Sequence, residues 1–415
     1  MTTFPNKVIV TSCMGGSQGD LGVVRALGRT GVSVILLSEY ASSIAQYSRY
    51  AVRMIHEPGF TQNPDSALAC LMKIAESEAH KPIIFPTADP DLTVLSNLRD
   101  KLEPHFHLFL STRELIDTCL DKGKFFEFAK HLNFPIPHTH APNDFDELIE
   151  LSHSISYPTI LKPLVPQTWS QPEIQRIVDE KKALVIDTPE ALIDRYRAIA
   201  PLNKNMAIQD YIPGRDDRLY SLHIYMDRQG QPVAYFTGQK IRTYPTYAGI
   251  GCFVRSVYVP DIVSSGIDIL RKLHYTGMAL LQFKQDSRTG EFKLLEINPR
   301  ASSWNLLAER CGVNLPYLAC LETLGMDLPP RPRQKEGVNY VFFSHDIRAF
   351  FDYRKHGDWS TWAWLRSLLG RNVFQYWCLD DPKPFFVSVG RALMSAGKRV
   401  TRRVTRRLRP VHSAG

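Results

Sequence analysis

The chain has 415 residues, 44% of them hydrophobic, and carries a net charge of +8. This length predicts two or three domains around a substantial buried core. Seven scattered cysteines without a C-x-x-C pair argue against a zinc site or a disulfide scaffold, and no apolar run reaches the roughly eighteen residues of a transmembrane helix.

The excess of positive charge is confined to one segment. Residues 391–415 contain eight basic and no acidic residues, which account for the whole excess. The charge therefore indicates nothing about the chemistry of the core. Because the N-terminus also lacks the apolar segment of a signal peptide, and the cysteines fit reduced thiols, the sequence predicts a cytoplasmic protein.

The first part of the chain shows the pattern of a parallel α/β sheet. Strand, glycine-rich turn, helix and strand follow one another, and the helical pattern SALACLMKIAESEA precedes a third strand in PIIFPT. The glycines Gly15, Gly16, Gly19 and Gly22 lack the G-x-G-x-x-G spacing, which favours turn and packing roles over dinucleotide binding. We predict a Rossmann-like domain over residues 1–115.

From Asp121 onward the pattern changes. The segment DKGKFFEFAKHLNFPIP predicts a capped helix stopped by prolines, and three later segments alternate and turn on Gly or Asp, as antiparallel strands do. The last of them, LLQFKQDSRTGEFKLLEINPR, is a predicted hairpin. We therefore expect a second domain over residues 116–328, a tryptophan-rich extension over 329–390 and a basic tail over 391–415.

The most informative residues lie on the second strand of this hairpin. Period-two alternation places Glu296 and Asn298 on one face, and Gln282 on the preceding strand reaches that face if the register fits. Oxygen ligands of this kind suit Mg²⁺ held jointly with phosphates better than zinc or iron. Arg300 continues the same phase, which puts a cation beside the metal, where it suits a developing phosphoryl group or oxyanion.

Residues upstream of the hairpin fit a nucleotide. Lys122 opens the predicted helix and Lys162 closes a strand in YPTILKP, so both are positioned to meet phosphate oxygens, and Lys240 adds a third cation. The segment MAIQDYIPG offers a polar and apolar mix that suits a purine edge. Taken alone, Lys162 also fits an exposed strand end and Lys240 a solvated face of its strand, and Gln209 also fits an outward-facing residue.

Asp89 and Asp91 follow a predicted parallel strand. Open α/β sheets bind ligands at this edge. A helix N-cap explains the same residues equally well, so both interpretations stay open.

The order of the motifs DK, YPTILKP, IQDYIPG, QKIR, LLQFK and LLEINPR resembles the ATP-grasp superfamily. The match runs from about Asp121 to Gly325, and the N-terminal βαβ unit resembles the domain that precedes ATP-grasp modules. The motifs are most similar to D-aspartate-ligase-like carboxylate–amine ligases, with a relation to carbamoyl-phosphate synthetase and biotin carboxylase. The resemblance implies an α/β (α+β) fold in which a Rossmann-like pre-ATP-grasp domain precedes an ATP-grasp domain with antiparallel sheets.

The resemblance also implies which residues bind ATP. Lys122 and Lys162 would contact the phosphates and the adenine pocket, and Lys240 would reach the phosphates. The linker that recognises adenine, partly through backbone groups, would consist of Gln209, Tyr211 and Ile212.

The implied chemistry is the ligation of a carboxylate to an amine. One or two Mg²⁺ ions, or Mn²⁺, would be held by Gln282, Glu296 and Asn298, and Arg300 would stabilise the acyl phosphate and the tetrahedral intermediate. A substrate carboxylate would attack the γ-phosphate of ATP, and an amine would then displace phosphate. The implied partners are small-molecule carboxylates and amines. Nucleic acid is not expected, because no aromatic platform is interleaved with the arginines of the tail.

Two positions depart from the superfamily pattern. No glycine occurs between Gly123 and Gly214, where relatives carry a glycine-rich phosphate lid, so the alternatives are closure through Trp169 or Lys181, or a weak phosphate grip. Gln282 stands where many relatives have Glu, which is expected to weaken metal binding. The missing glycines favour an alternative function, a catalytically weak nucleotide-binding regulatory module. A third alternative is ATP-grasp catalysis that ends in a thioester or a carboxylated cofactor.

The basic tail also has two interpretations. Val400, Val404 and Leu408 recur every four residues between arginines, which fits a basic amphipathic helix on the inner face of an anionic membrane. A frayed, solvated tail fits the same residues.

Overall fold

The computed structural model describes residues 4–13, 19–179, 181, 183–247 and 249–407. Side chains are described for these residues except 166, 167 and 396–407. Gly15 and Gly16 of the predicted turn, and Leu408 of the predicted tail helix, lie outside the described residues. The side chains of Val400 and Val404 also lie outside them.

The N-terminal domain contains a parallel sheet of order β3-β2-β1-β4. Its strands are β1 (Val8–Ser12), β2 (Val34–Ser38), β3 (Ala51–His56) and β4 (Ile83–Phe85). Its helices are α1 (Gly19–Gly28), α2 (Pro64–Glu76), α3 (Asp89–Asn97), α4 (Arg99–Leu102) and α5 (Arg113–Leu120), with a 3-10 turn at Ala45–Tyr47. The predicted alternation of strands and helices is therefore present.

Differences in burial explain which of these strands could be predicted from the sequence. The side chains of β1, β2 and β4 are fully buried, as in a sheet covered on both faces, and each strand contains a run of at least three apolar residues. Strand β3 is the edge strand and its side chains are half-buried or exposed, so AVRMIH shows no such run and was not predicted.

The next region is a small four-stranded antiparallel sheet of order β5-β8-β6-β7. Its strands are β5 (Thr139–His140), β6 (Thr159–Pro163), β7 (Leu184–Ile186) and β8 (Met206–Asp210). Its helices are α6 (Lys122–His131), α7 (Phe145–Ser154), α8 (Pro172–Val178) and α9 (Pro189–Ile199), with a 3-10 turn at Pro166–Ser170. Asp121 caps α6 by accepting a hydrogen bond from the backbone N–H of Lys124 at 3.0 Å, as predicted.

A seven-stranded sheet of order β13-β12-β9-β10-β11-β14-β15 forms the centre of the molecule. Its strands are β9 (Leu219–Met226), β10 (Pro232–Tyr244), β11 (Ile250–Ser256), β12 (Gly277–Gln285), β13 (Phe292–Asn298), β14 (Val338–Val341) and β15 (Arg371–Phe374). The accompanying helices are α10 (Pro260–Lys272), α11 (Asn305–Arg310), α12 (Leu315–Thr323), α13 (Phe343–Lys355), α14 (Thr361–Ser367) and α15 (Lys383–Arg407), with a 3-10 turn at Asp216–Arg218.

The segment predicted as a separate tryptophan-rich extension contributes to this central sheet. Strand β14 pairs with β11, and β15 pairs with β14, so the sheet continues past the predicted boundary at residue 328. Buried ion pairs fix the segment on both sides. Arg242 pairs with Asp346 at 2.6 Å, and Arg25 of α1 pairs with Asp381 at 2.9 Å.

Two observations on the described residues concern the cysteines and the long apolar helices. All seven cysteines lie in the described part of the chain and are free thiols. Among the described residues, no helix combines the length and the apolar character that crossing a bilayer requires.

Candidate active site

The hairpin of β12 and β13 brings three polar side chains together on one face. Gln282 lies opposite Glu296 in the strand register, and its amide nitrogen donates to Oε1 of Glu296 at 2.5 Å. Asn298, two residues further along β13, donates to the same oxygen at 3.0 Å. The register on which the sequence prediction depended therefore places these oxygens on one face.

Cations surround the single carboxylate of this face. The ammonium of Lys240 donates to Oε1 of Gln282 at 2.9 Å. Burial alone would raise the pKa of Glu296, but Lys122, the hydrogen bond from Asn298, Lys240 and Lys162 together lower it below its usual value. Glu296 is therefore a carboxylate at neutral pH, within the field of three lysines that come from separate elements.

Lys162 lies buried near the end of β6, beside β8. Its ammonium donates to Oε1 of Gln209 at 2.9 Å and lies 4.4 Å from the centroid of the Phe126 ring. Burial and, to a smaller extent, the nearby Lys122 lower the pKa of Lys162 from 10.5 to about 7. A phosphate oxygen at this position would restore the positive charge, because an opposite charge favours the protonated amine.

Gln209 does not face outward, the alternative that the sequence left open. Its side chain is buried, and while its oxygen accepts from Lys162, its nitrogen donates to the hydroxyl of Thr139 at 2.8 Å. The amide therefore positions Lys162. Immediately after β8, Ile212 is buried and the ring of Tyr211 lies 5.2 Å from the ammonium of Lys284.

Lys284 is a candidate residue that the sequence analysis missed. It lies two residues after Gln282 on β12, so the alternation that selected Gln282 also selects it. Burial lowers its pKa, while Asp216 and Asp286 act in the opposite direction. Its place beside Tyr211 puts a further cation at the predicted adenine linker.

Arg300 connects the central sheet to the N-terminal domain. Its Nε donates to Oδ1 of Asp89 at 2.5 Å, and its terminal nitrogen donates to Oδ1 of Asn298 at 3.4 Å. Burial alone would lower the pKa of Arg300, but Asp89 raises it above its usual value. The guanidinium is therefore fixed at the side of the face formed by Glu296 and Asn298.

The N-cap interpretation of Asp89 and Asp91 is wrong. Helix α3 is preceded by Ala88 as its N-cap, without a side-chain cap bond. Asp91 is instead buried and accepts hydrogen bonds from the hydroxyl of Thr11 and, at 3.0 Å, from the backbone N–H of Thr87. Burial raises its pKa to about 6. The pair of Asp89 with Arg300 places this edge of the parallel sheet against the candidate site.

The segment at the position of the glycine-rich phosphate lid contains Trp169 and Lys181, the two residues suggested for closure. Trp169 is buried with Leu161, Ile174 and Val178 in the core of the small sheet, which makes it a packing residue there. Lys181 is exposed. Closure through Trp169 is therefore not supported by its position.

The oxygen atoms of this face fit an Mg²⁺ ion whose remaining ligands are phosphate oxygens. Within the described residues no three His, Cys, Asp or Glu side chains cluster as a self-sufficient metal site. The face offers one carboxylate, Glu296, and the amide oxygens of Gln282 and Asn298. Each amide oxygen has two lone pairs, so the bond from Lys240 or Arg300 does not exhaust it. Hard oxygen donors of low total charge suit a magnesium ion that retains other oxygen ligands.

Comparison with known proteins supports the resemblance. A family profile described as "ATP-grasp in the biosynthetic pathway with Ter operon" matches residues 256–345. D-aspartate ligase of Enterococcus faecium is 25% identical over 76% of this chain and 76% of its own length. An N-terminal section of the carbamoyl phosphate synthase large chain of Methanopyrus kandleri is 23% identical over 83% of this chain and 61% of its own length.

The solved structures show the same fold. The biotin carboxylase domain of 2-oxoglutarate carboxylase from Hydrogenobacter thermophilus, solved with MgADP, ADP and bicarbonate, has a TM-score of 0.59. The two are 13% identical, and the match covers 80% of this chain and 72% of that domain. At this identity the likeness establishes the fold and no more.

These relatives and neighbours are ATP-grasp ligases that form C–N bonds, the enzyme class that the motifs predicted. The predicted fold class is confirmed by the sheets described above and by the shared fold. The chain has the ATP-grasp fold and resembles the ATP-grasp carboxylate–amine ligases.

Proposed function

We propose that the protein is an ATP-dependent carboxylate–amine ligase that forms an acyl phosphate and releases ADP and phosphate. One observation carries the proposal. The oxygen face of Gln282, Glu296 and Asn298 contains a single carboxylate in the field of Lys122, Lys162, Lys240 and Arg300. This excess of positive charge in a half-buried site matches a polyphosphate.

The lysines bind the nucleotide in this proposal. Lys162 and Lys240 project from opposite sheets, each held by a neutral amide oxygen at 2.9 Å, and Lys122 comes from the start of α6. A neutral amide orients an ammonium without neutralising it, so the Lys162 amine, once protonated, remains usable for phosphate oxygens. Tyr211 and Ile212, directly after β8, would form the adenine-binding linker.

Glu296, with Asn298 and Gln282, would hold the magnesium ion. When bound, Mg²⁺ would draw the phosphates into line and neutralise part of their charge. The lowered pKa of Glu296 keeps this ligand ionised at neutral pH. The magnesium salt of ADP in the biotin carboxylase neighbour supports this choice of metal.

Arg300 would stabilise the charge that develops during transfer. A carboxylate oxygen of the donor substrate attacks the γ-phosphorus and ADP leaves. The amine nitrogen then attacks the acyl carbon, loses a proton, and phosphate leaves as the C–N bond is completed. Because Asp89 fixes the guanidinium in advance, little reorganisation is needed when charge appears on the reacting oxygens.

A cavity of about 500 Å³ in the N-terminal domain is our candidate for the body of a substrate. It opens at the carboxyl ends of β1 and β2, where parallel sheets bind ligands, and Pro90 in its wall lies between Asp89 and Asp91. Its polar lining consists of uncharged side chains: Cys13, Tyr40, Thr61, Gln62, Thr93 and Asn97. Similarity to a D-aspartate ligase supports an amino acid as one of the two substrates.

The test is release of ADP and phosphate by the purified protein with Mg-ATP, against pools of amino acids, other carboxylates and amines. Release that requires both a carboxylate and an amine supports the ligase. Once substrates are known, Asn97→Leu should raise the KM of one substrate and leave the KM of ATP unchanged.

The glycine-free segment over β6 to β7 favours a second candidate, a nucleotide-binding regulatory module. Tight binding of ATP without release in any pool would favour this module over the ligase. Hydroxylamine added with single carboxylates distinguishes the two directly, because it traps an acyl phosphate as a hydroxamate. The module gives no hydroxamate with any carboxylate.

A further inference from the structure

Helix α15 carries an apolar face that the rest of the described chain leaves exposed to a large extent. Phe386, Val389, Leu393 and Met394 recur at the spacing of one helix face, and 62%, 38%, 68% and 63% of their surfaces are exposed. We call these four residues the α15 apolar face. Isolated exposed apolar residues are ordinary, but a contiguous helical stripe of them indicates a binding surface.

The opposite side of the helix is attached to the N-terminal domain. Arg391 donates hydrogen bonds to the carbonyl of Ser42 and, at 3.3 Å, to the hydroxyl of Tyr47. The helix therefore has a fixed orientation, in which its polar contacts face the protein and its apolar face points outward.

Aromatic and aliphatic residues extend this surface at the start of the helix. The Trp377 ring lies 5.2 Å from Phe385 and 6.2 Å from Phe386, centroid to centroid. Leu379, on the preceding turn, is 85% exposed. A tryptophan at the end of an apolar helix face is typical of membrane interfaces, where an amphipathic ring sits at headgroup level.

The charge around the α15 apolar face indicates the chemistry of its binding partner. Residues 391–415 contain eight basic and no acidic residues. Val400 and Val404 follow Leu393 by seven and eleven positions in the sequence, which is the same helical phase, and arginines fill positions between them. A basic helix with one apolar face matches a surface that offers negative charge and hydrocarbon together.

We propose that α15 is an interfacial helix which holds the enzyme on an anionic phospholipid bilayer, with the α15 apolar face in the headgroup and acyl boundary. A second copy of the chain fits less well, because two such helices would bring like charges together. A nucleic acid would satisfy the arginines and leave the apolar residues in water.

The test uses the full chain and sucrose-loaded vesicles of phosphatidylcholine, with and without phosphatidylglycerol. The wild-type protein should sediment with the vesicles that contain phosphatidylglycerol and stay in solution with phosphatidylcholine alone. The double variant Leu393→Ser, Met394→Ser should lower the partition coefficient about tenfold or more, since each side chain no longer leaves water. The matched control Ala392→Ser alters an exposed residue outside the apolar face and should bind as wild type does.

Three outcomes would overturn the proposal. These are equal sedimentation of the double variant and the wild type, equal sedimentation with both kinds of vesicle, and a lipid-free dimer that the double variant loses. Unchanged melting temperature and nucleotide binding in the double variant exclude misfolding. None of the altered residues belongs to the candidate active site, so the result is independent of the proposed reaction.

Discussion

The two ends of the candidate site hold their cations in opposite ways. Lys162, at the end formed by the small sheet, is buried against the neutral amide of Gln209, and its pKa is lowered to about 7. Arg300, at the end that faces the N-terminal domain, is paired with Asp89, and its pKa is raised. The charge of Lys162 therefore depends on what binds, whereas Arg300 is charged before anything binds. In the proposed reaction, this difference would give nucleotide sensing to one end and charge stabilisation during transfer to the other.

The largest expected effect comes from the carboxylate between the two ends. Glu296→Gln removes the carboxylate that all three lysines surround, so the proposed metal ligand and the balance of charge are lost together. We expect turnover to fall to background with the fold intact. Metal-free ATP should bind at least as tightly as to the wild type, because the site becomes more positive. Measured ADP release and ATP titration with and without Mg²⁺ check both expectations.

Near-wild-type turnover in Glu296→Gln would show that the catalytic centre lies elsewhere. Glu291→Gln is a suitable control, because Glu291 lies just before the same strand and is exposed. Its turnover should equal that of the wild type.

Arg300→Ala should lower kcat by about a hundredfold or more, the usual order for one preorganised electrostatic group. The KM for ATP should change little, because the loss falls on the transfer step. Steady-state kinetics with the substrates found by the ADP assay separate the two parameters. A rise in KM for ATP with kcat unchanged would show that Arg300 binds the nucleotide instead of stabilising the transfer step. The two ends of the site would then not differ in role.

Asp89→Asn tests whether Asp89 acts by positioning the Arg300 guanidinium. It keeps the guanidinium and removes its counter-charge, so the loss in kcat should be smaller, about tenfold. In the double variant with Arg300→Ala, the effect of Asp89→Asn should largely disappear, because the residue acts through Arg300.

Lys162 should make nucleotide binding take up a proton. At pH 8 the free amine is mostly neutral, since its pKa is about 7, and a bound phosphate favours the ammonium. Mg-ATP binding should therefore take up close to one proton at pH 8, and almost none at pH 6, where the amine is already charged. Calorimetry in buffers of different ionisation enthalpy measures this number. Lys162→Arg is charged at both pH values and should abolish the uptake.

The lowered pKa of Lys162 also makes the free energy of unfolding depend on pH. Between about pH 7 and 10.5 the unfolded chain binds more protons at Lys162 than the folded chain, so burial of this amine costs most at and below pH 7. Lys162→Met should raise the free energy of unfolding at pH 7, and the gain should shrink as the pH approaches 10.5. Absence of both the proton uptake and this trend would show that Lys162 resembles Arg300 in carrying a permanent charge.

The sequence predicted the parts of the site that depend on local periodicity. The alternation of β13 selects Glu296 and Asn298, and the short turn of the hairpin brings Gln282 opposite them, so neighbours in sequence determine this face. The same logic selects Lys284, the last residue of the LLQFK motif, to which the sequence analysis assigned no role.

Local periodicity could not predict contacts between segments that are far apart in the sequence. Asp89 and Arg300 are far apart in sequence and meet where the N-terminal domain packs on the central sheet. In the same region α1 packs against α11, and both helices share one hydrophobic core with β1 and β4. The pairing of Gln209 with Lys162 likewise depends on the order of the small sheet. Strands β14 and β15 are too short to reveal which sheet they join, and β3 is an edge strand without an apolar run.

The smallest expected effect concerns Gln282, which lies between the two ends and bonds to both Lys240 and Glu296. Gln282→Glu adds a negative charge to the metal-binding face, which should lower the Mg²⁺ concentration needed for half-maximal turnover several-fold. The new carboxylate would also pair with Lys240 and reduce its attraction for phosphate, so the KM for ATP should rise modestly. Opposite movement of these two constants, measured by varying Mg²⁺ and ATP separately, is the expected result. If both constants fall together, Lys240 does not bind phosphate, and the nucleotide end reduces to Lys122 and Lys162.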